Sequence, residues 1–482
     1  MPTVTVPFPA LFSRQHAATL REKVCAMLRQ AIVDGSLPTA ARLPSSRVLA
    51  SDLSLSRITV EAAYSQLESE GYLTRQTGRG TFVAVAAVPP PRRRPPVAAP
   101  LLSRRGQQIV AGGGCEDPRF PQAFAAGSPD LRAFPQRLWR RLTQQRLRLD
   151  GESLMRYGDP LGLPELRQAV AHYLAQSRGV RCHAEQVVIL TSSQQALQMI
   201  ALLLCDSGDS VWLEDPGYRG AWQAFRSSGA QVSGIACDES GAIIPDGDAP
   251  KLVYLTPSHQ YPTGVTLALE RRLAWLAYAR QRQCWLIEDD YDSEFHYDQR
   301  PMPALQGLEE DARVLYLGTF SKVLFPSLRL AYLVVPDALI EPLRRLRSII
   351  DGHSAQLMQA VTADFIHHGH FAAHLRLMRQ LYASRRNLLV NEVNDKLADR
   401  LTLFPHQGGL QLAVGLKMGS EQQLTQQAAQ HGLLLPRLSP LYQQQPAQAG
   451  WMLGYSALQP AEIVRAVTRL SRLDWSGPRG QS

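Results

Sequence analysis

Lys322 stands in LGTFSKVLFPSLRLAYLV (317–334), where an apolar run that reads as a strand is followed by a Ser/Thr-containing turn. A lysine amine held in such a turn can condense with an aldehyde to form a Schiff base. To attack, the amine must be neutral, so burial and neighbouring positive charge must lower its pKa. Arg329, in the same segment, supplies such a charge and suits a phosphate group. Thr319 and Ser321 are further candidates for phosphate or backbone hydrogen bonds.

A second segment, CWLIEDDYDSEF (284–295), is an apolar strand ending in acids. α/β sheets bind ligands at such carboxyl ends. Pyridoxal 5′-phosphate needs one buried carboxylate to keep its pyridine nitrogen protonated and its ring an electron sink. Asp289 fits that role, and its separation from Lys322 matches one strand-to-strand crossover. Tyr291 is placed to hydrogen-bond the ring 3′-oxygen. A metal site would want His or more carboxylates at fixed spacing, and the segment offers none. In VVILTSSQQALQMIALLL (187–204), strand, polar turn and helix make an anion cradle from Ser192, Ser193 and Gln194. Ordinary N-caps look the same. In LEDPGYRGAW (213–222), Tyr218 is positioned to stack on a flat ring, with core packing as the competing explanation.

These residues need a large scaffold. The 482 residues exceed one ordinary domain, and 45% hydrophobic against 19% charged content is globular. Three regions are expected: a head over 13–84, a Pro/Arg-rich linker over 85–111 and a body over 112–475. The linker contains PPPRRRPP, which favours extended polyproline II, with Arg92, Arg93 and Arg94 giving sequence-independent attraction to a polyanion. In the body, helical patterns alternate with short apolar runs, which predicts an α/β fold with a mainly parallel sheet. Nearly all of the net +9 charge falls in residues 1–110, which points to a polyanion partner for the head. None of the six cysteines pairs at CxxC spacing, so they read as reduced thiols. No secretory signal or membrane span is expected, and the location expected is cytoplasmic.

In the head, Leu20, Val24, Met27, Leu28, Ala31 and Ile32 share one face of a helix over 17–33. LPSSRVLASDL starts a second helix, with Ser45 or Ser46 as N-cap. Ser56 caps a third over about 57–69, with Val60, Ala63, Tyr64 and Leu67 inward and Gly71 past its end. A hairpin, YLTRQTGRGTFVAV, follows with Gly78 and Gly80 at its tip. Helix, turn, helix and hairpin predict a winged helix-turn-helix whose third helix enters the major groove. Arg57 and Thr59 sit at the N-terminus of that helix, Arg47 on the helix before it and Arg79 at the hairpin tip.

LPSSRVLASDLSLSRITVEAAYSQLESEGYLTRQTGRGTFV resembles the winged helix of the GntR regulator family. The resemblance places Arg47, Ser56, Arg57, Thr59 and Gly78 at DNA-contacting positions, with Glu61 where several members carry a basic residue. Residues 115–475 resemble fold-type I aminotransferases. Together, and with TPSHQYPTG at 256–264, the chain resembles the MocR/GabR-type subfamily. By that resemblance Lys322 carries pyridoxal 5′-phosphate, Asp289 pairs with its ring nitrogen and Tyr291 meets its 3′-oxygen. Ser192, Ser193, Gln194, Thr319 and Arg329 hold its phosphate, and Tyr218 stacks on the ring. RYGDPLG (156–162) would make Tyr157 a phosphate ligand of the partner subunit in a homodimer. Two positions depart from the aminotransferase pattern: Tyr261 replaces an Asn before PTG, and Met452 in WMLGYS replaces the Arg that clamps a substrate carboxylate. Arg219 or Arg437 are the candidates to substitute for it. The function implied is a regulator sensing an amine, an amino acid or pyridoxal phosphate. The alternatives are an active aminotransferase with a fused DNA-binding module and a regulator that has lost the cofactor.

Overall fold

The computed structural model describes residues 6–84, 102–113, 123–297, 302–309, 313–405, 407–444 and 448–476. The chain divides into two compact units, residues 1–101 and 102–482.

The first unit is built from short capped helices and one hairpin. Helix α1 (Phe8–Ser13) precedes α2 (Leu20–Val33). Thr19 caps α2: its Oγ1 accepts from the Glu22 N–H at 3.2 Å, and the Glu22 carboxylate accepts from the Thr19 N–H at 3.0 Å. Val24, Met27, Leu28, Ala31 and Ile32 are buried as the periodicity predicts. Leu20 is not; it is in phase with them but, as the first residue of the helix, lies beyond the packed core and is 55% exposed. Ser45 caps α3 (Ser46–Asp52), and Ser56 caps α4 (Arg57–Ser69) by accepting from the Thr59 N–H at 3.1 Å. Tyr64 donates its hydroxyl to the Pro44 carbonyl at 2.8 Å, tying α4 to the turn before α3. Strands β1 (Leu73–Gln76) and β2 (Gly80–Val83) pair antiparallel to form the wing. Gly78 adopts φ +74° at its tip, a conformation that disfavours side chains.

The second unit opens with a correction. Residues 104–111, expected in the extended spacer, form helix α5 (Arg104–Ala111), capped by Ser103 accepting from the Gly106 N–H at 3.0 Å. A serine followed by residues free of Pro is enough to start a turn, and it docks on the body near Gln223. The rest of the expected spacer, residues 85–101 with Arg92, Arg93 and Arg94, lies outside the described residues.

Helices α6 (Gln136–Leu149) and α7 (Pro164–Arg178) lead to strand β3 (Val187–Leu190) and helix α8 (Ser193–Leu204). Strand β4 (Ser210–Asp215), helix α9 (Arg219–Ser228), strands β5 (Gln231–Asp238), β6 (Gly241–Ala242) and β7 (Leu252–Leu255), helix α10 (Leu269–Arg282) and strands β8 (Trp285–Asp290), β9 (Val314–Thr319) and β10 (Ala331–Val334) complete the main sheet. Its order is β3-β10-β9-β8-β7-β4-β5-β6. The run β9-β8-β7-β4-β5 is parallel, as the alternation of helices and apolar runs predicts. β10 breaks the pattern: it runs antiparallel to both β3 and β9, because the loop over 320–330 that joins it to β9 holds no crossover helix. Strands β11 (Leu401–Leu403), β12 (Gln411–Leu416) and β13 (Gly450–Gly454) form a small antiparallel sheet.

One buried ion pair anchors the carboxyl end of β8. Arg178 Nε donates to Asp290 Oδ2 at 2.8 Å, and Tyr316 and Ser293 donate to the same oxygen. Both charged side chains are essentially excluded from solvent. The remaining guanidinium nitrogens donate to the Met302 carbonyl and Ser258 Oγ. Arg178 thus keeps the Asp290 carboxyl below its usual range despite burial.

Candidate functional sites

Asp289 and Asp290 are neighbours on β8 with different surroundings. Asp289 Oδ2 accepts from the Tyr254 hydroxyl at 2.7 Å, supplied by the adjacent strand β7. Asp289 Oδ1 is buried with no hydrogen-bond partner among the described residues. Burial pushes the Asp289 pKa up to about 7, with Asp290 and Asp292 adding to the rise; Tyr254 and Lys322 pull against it. That Lys322 acts on Asp289 follows from the topology. β8 and β9 are parallel neighbours, with Asp289 opposite Leu317, and Lys322 lies in the turn just past β9.

The Lys322 amine donates to the Gly127 carbonyl at 3.0 Å. A Cβ on Gly127 would stand 2.9 Å from that amine, and φ +65° at this residue also disfavours a side chain. Around Asp289 the aromatic groups form a chain. Tyr261 meets Tyr218 edge-on at 5.8 Å and Tyr291 edge-on at 6.1 Å. Tyr291 donates its hydroxyl to the His259 carbonyl at 3.0 Å, which leaves the oxygen lone pairs as acceptors. Behind it, His259 Nδ1 lies 2.7 Å from Asp292 Oδ1, and the His296 ring is 4.5 Å from the His259 ring. Burial, reinforced by His259, pushes His296 down to about 3.

The expected phosphate residues gather at two turns. Ser192 is the N-cap of α8, its Oγ accepting from the Gln195 N–H at 3.2 Å. Ser193 and Gln194 begin the helix, where backbone N–H groups lack intrahelical acceptors. Gln194 Nε2 donates to the Gly220 carbonyl at 2.8 Å, joining this turn to Tyr218 and α9. Thr319 ends β9, and its Oγ1 accepts from the Ser321 N–H at 3.1 Å. Arg329 is exposed and takes φ +54° at the end of the turn from Lys322 to β10. Tyr157 stands outside this cluster. It is 98% exposed, with its ring edge-on to His353. Sequence reasoning missed Tyr254, Gly127 and Gln411; the one available signal was for Tyr254, the polar-tipped residue in the apolar run KLVYL.

The first unit presents a basic face. Arg47, Arg57 and Arg79 are exposed and have no ion-pair partner among the described residues. Arg75, by contrast, is held by Glu61 at 3.0 Å and Glu68 at 3.1 Å. Glu61 therefore serves the wing strand instead of facing solvent alone. Ser56 and Thr59 exchange a hydroxyl hydrogen bond at 2.8 Å at the start of α4. Ile58, between Arg57 and Thr59, is 82% exposed, which the apolar pattern did not predict.

A family model described as bacterial regulatory proteins, gntR family, matches residues 20–83, and one described as aminotransferase class I and II matches 124–473. The "Probable rhizopine catabolism regulatory protein MocR" of Rhizobium meliloti is 38% identical over 95% of this chain and 94% of its own length. The HTH-type pyridoxine biosynthesis transcriptional regulator PdxR of Corynebacterium glutamicum is 29% identical over 93% of this chain and 94% of its own. Among solved structures, LysN, the α-aminoadipate aminotransferase of Thermus thermophilus, crystallised with N-(5′-phosphopyridoxyl)-L-leucine, superposes with a TM-score of 0.67 at 27% identity, over 77% of this chain and 94% of LysN. The winged-helix head, the aminotransferase fold and the full-length relatives agree: the chain belongs to the MocR/GabR-type transcriptional regulators of the GntR family.

Proposed function

We propose that this DNA-binding regulator carries pyridoxal 5′-phosphate on Lys322 and uses it to sense an amine, an amino acid or the cofactor itself. The observation that carries the reading is Asp289 Oδ1, a buried carboxylate oxygen with no hydrogen-bond partner among the described residues, on the strand next to the one that delivers Lys322. A pyridinium N–H satisfies that oxygen. A Cβ at Gly127 would crowd the Lys322 amine, and one at Gly220 would crowd Gln194 and Tyr218, so both glycines let these side chains approach. When bound, the cofactor supplies an electron sink. The chain's own residues position it. Asp289 holds the ring nitrogen, Tyr254 orients Asp289 and Tyr291 meets the 3′-oxygen. Tyr218 lies against the ring, while Ser192, Ser193, Gln194, Thr319 and Arg329 bind phosphate. Tyr157, fully exposed within one chain, completes the partner's site in a homodimer. Ligand occupancy shifts the body between two states that present the paired heads differently to operator half-sites. Arg47, Arg57 and Arg79 make the duplex contacts, with Ser56, Thr59 and Gly78 shaping that face.

A working aminotransferase is the second reading; it needs the same Lys322 and Asp289, so their retention favours neither. Met452 speaks against it, because a thioether cannot replace a bidentate arginine. Purified holo-protein given a panel of amino donors should turn over well below about 1 per second; ordinary enzyme rates would establish catalysis.

Purified protein given pyridoxal phosphate should show a visible absorbance band that is lost in Lys322→Ala. A band that survives the substitution, or no band at all, would remove Lys322 from the site.

Asp289 makes a separate prediction for the cofactor-free protein. Its pKa of about 7 in the fold lies above the roughly 3.9 of an unfolded chain, so the folded state binds this proton more tightly. The stability it provides at low pH is lost as pH rises from about 4 to about 7, at about 1.4 kcal/mol for each unit crossed. In Asp289→Asn that loss should vanish, leaving a flatter curve of denaturation midpoint against pH. Superimposable curves would contradict the assignment. For the head, Arg57→Ala should weaken binding to a selected cognate duplex by about 1–3 kcal/mol in fluorescence anisotropy. Unchanged affinity would place Arg57 outside the interface.

A further inference from the structure

The wall beside the Lys322 amine is neutral. The point 2.9 Å from that amine where a Gly127 Cβ would sit is also 3.6 Å from Gln411 Oε1, so Gln411 borders the same space. Gln411 Nε2 in turn donates to Met452 Sδ at 3.5 Å. Met452 is buried with Leu438 and Leu441, and Ala126, Tyr261 and Phe404 pack on that cluster. Tyr261 continues the wall to Tyr218 and Tyr291. From the lysine to the tyrosines the surface is therefore amide, thioether and hydrocarbon.

Of the arginines on the surrounding elements, three are held by other groups and Arg437 is turned to solvent. Arg385 is buried against Asp130 at 2.8 Å and donates to the Ser456 carbonyl. Arg132 pairs with Glu462 at 3.0 Å and Asp130 at 3.5 Å. Arg219 is exposed and donates to the Gly112 carbonyl at 3.0 Å. Arg437 is exposed, although its backbone pairs with Trp451, the neighbour of Met452. A carboxylate brought against this wall would be desolvated with no cation against it among the described residues, which is strongly unfavourable. Hydrogen or an alkyl group in the same place loses nothing and buries apolar surface.

We propose that Met452 and Gln411 make the site selective for primary amines with no carboxylate beside the nitrogen, and that α-amino acids are rejected. The proposal rests on the cofactor reading at Lys322, so the visible band of the full-length holo-protein is checked first. Its absence would overturn that reading and the proposal with it. With the band present, calorimetric titration compares cadaverine with lysine, phenethylamine with phenylalanine, and isobutylamine with valine. At least one amine should bind about tenfold or more tightly than its amino acid, and no amino acid should outbind its amine. Ratios below tenfold in every pair, an amino acid that outbinds its amine, or no binding by any of the six at millimolar concentration overturns the proposal and leaves the cofactor reading standing. Met452→Arg should move the ratio towards the amino acid by about tenfold, through a bidentate carboxylate contact. Gln411→Arg serves the same arm if the first variant does not retain the band. A ratio unmoved in a variant that retains it overturns the assignment of these side chains.

Discussion

A carboxylate oxygen with no hydrogen-bond partner inside a protein costs about 1–3 kcal/mol or more, and Asp289 Oδ1 is such an oxygen. Asp290 Oδ1 next to it also lacks a partner among the described residues, but the charge of Asp290 is met by Arg178, while no arginine pairs with Asp289. Tyr254 occupies Oδ2 and fixes the plane of the carboxylate. The next residue, Asp290, is neutralised by Arg178 and surrounded by hydroxyl donors. Two adjacent acids on one strand therefore have opposite fates. Burial pushes Asp289 up to about 7, and Arg178 holds Asp290 down. Both acids sit at the end of β8, whose neighbour β9 leads into the turn that carries Lys322.

The separation between a reactive floor and a neutral wall gives the site its character. The floor has the lysine, the open carboxylate and the tyrosine chain, which suit a flat heterocycle. The wall has Met452 and Gln411, which offer no charge to a ligand. An aminotransferase fold with a neutral wall of this kind is suited to recognition, and the winged-helix head gives that recognition an output on DNA.

Much of this architecture was legible from spacing. The separation of Asp289 and Lys322 reflects parallel neighbouring strands joined by one crossover, a local rule that sequence carries. The head was legible because its caps are local: Ser45, Ser56 and the stripe Val60, Ala63, Tyr64 and Leu67 each act within one helix. What sequence did not carry was long-range. Gly127 meets Lys322 across 195 positions, and Gln411 meets Met452 only because β12 and β13 pair. Neither contact leaves a periodic trace. The helix Arg104–Ala111 was hidden by the Pro/Arg run before it, and the antiparallel β10 by an apolar pattern that parallel strands share. Leu20 and Ile58 show the limit of apolar patterning at helix starts, where a hydrophobic residue faces solvent.

The account turns on whether Asp289 and Lys322 grip one heterocycle. A crystal structure of the full-length protein grown with pyridoxal 5′-phosphate tests this directly. It should show density continuous with the Lys322 side chain and the ring nitrogen within hydrogen-bonding distance of Asp289 Oδ1. A cofactor bound elsewhere, or an Asp289 carboxylate whose open oxygen is satisfied by protein groups while the ring lies out of reach, would contradict it.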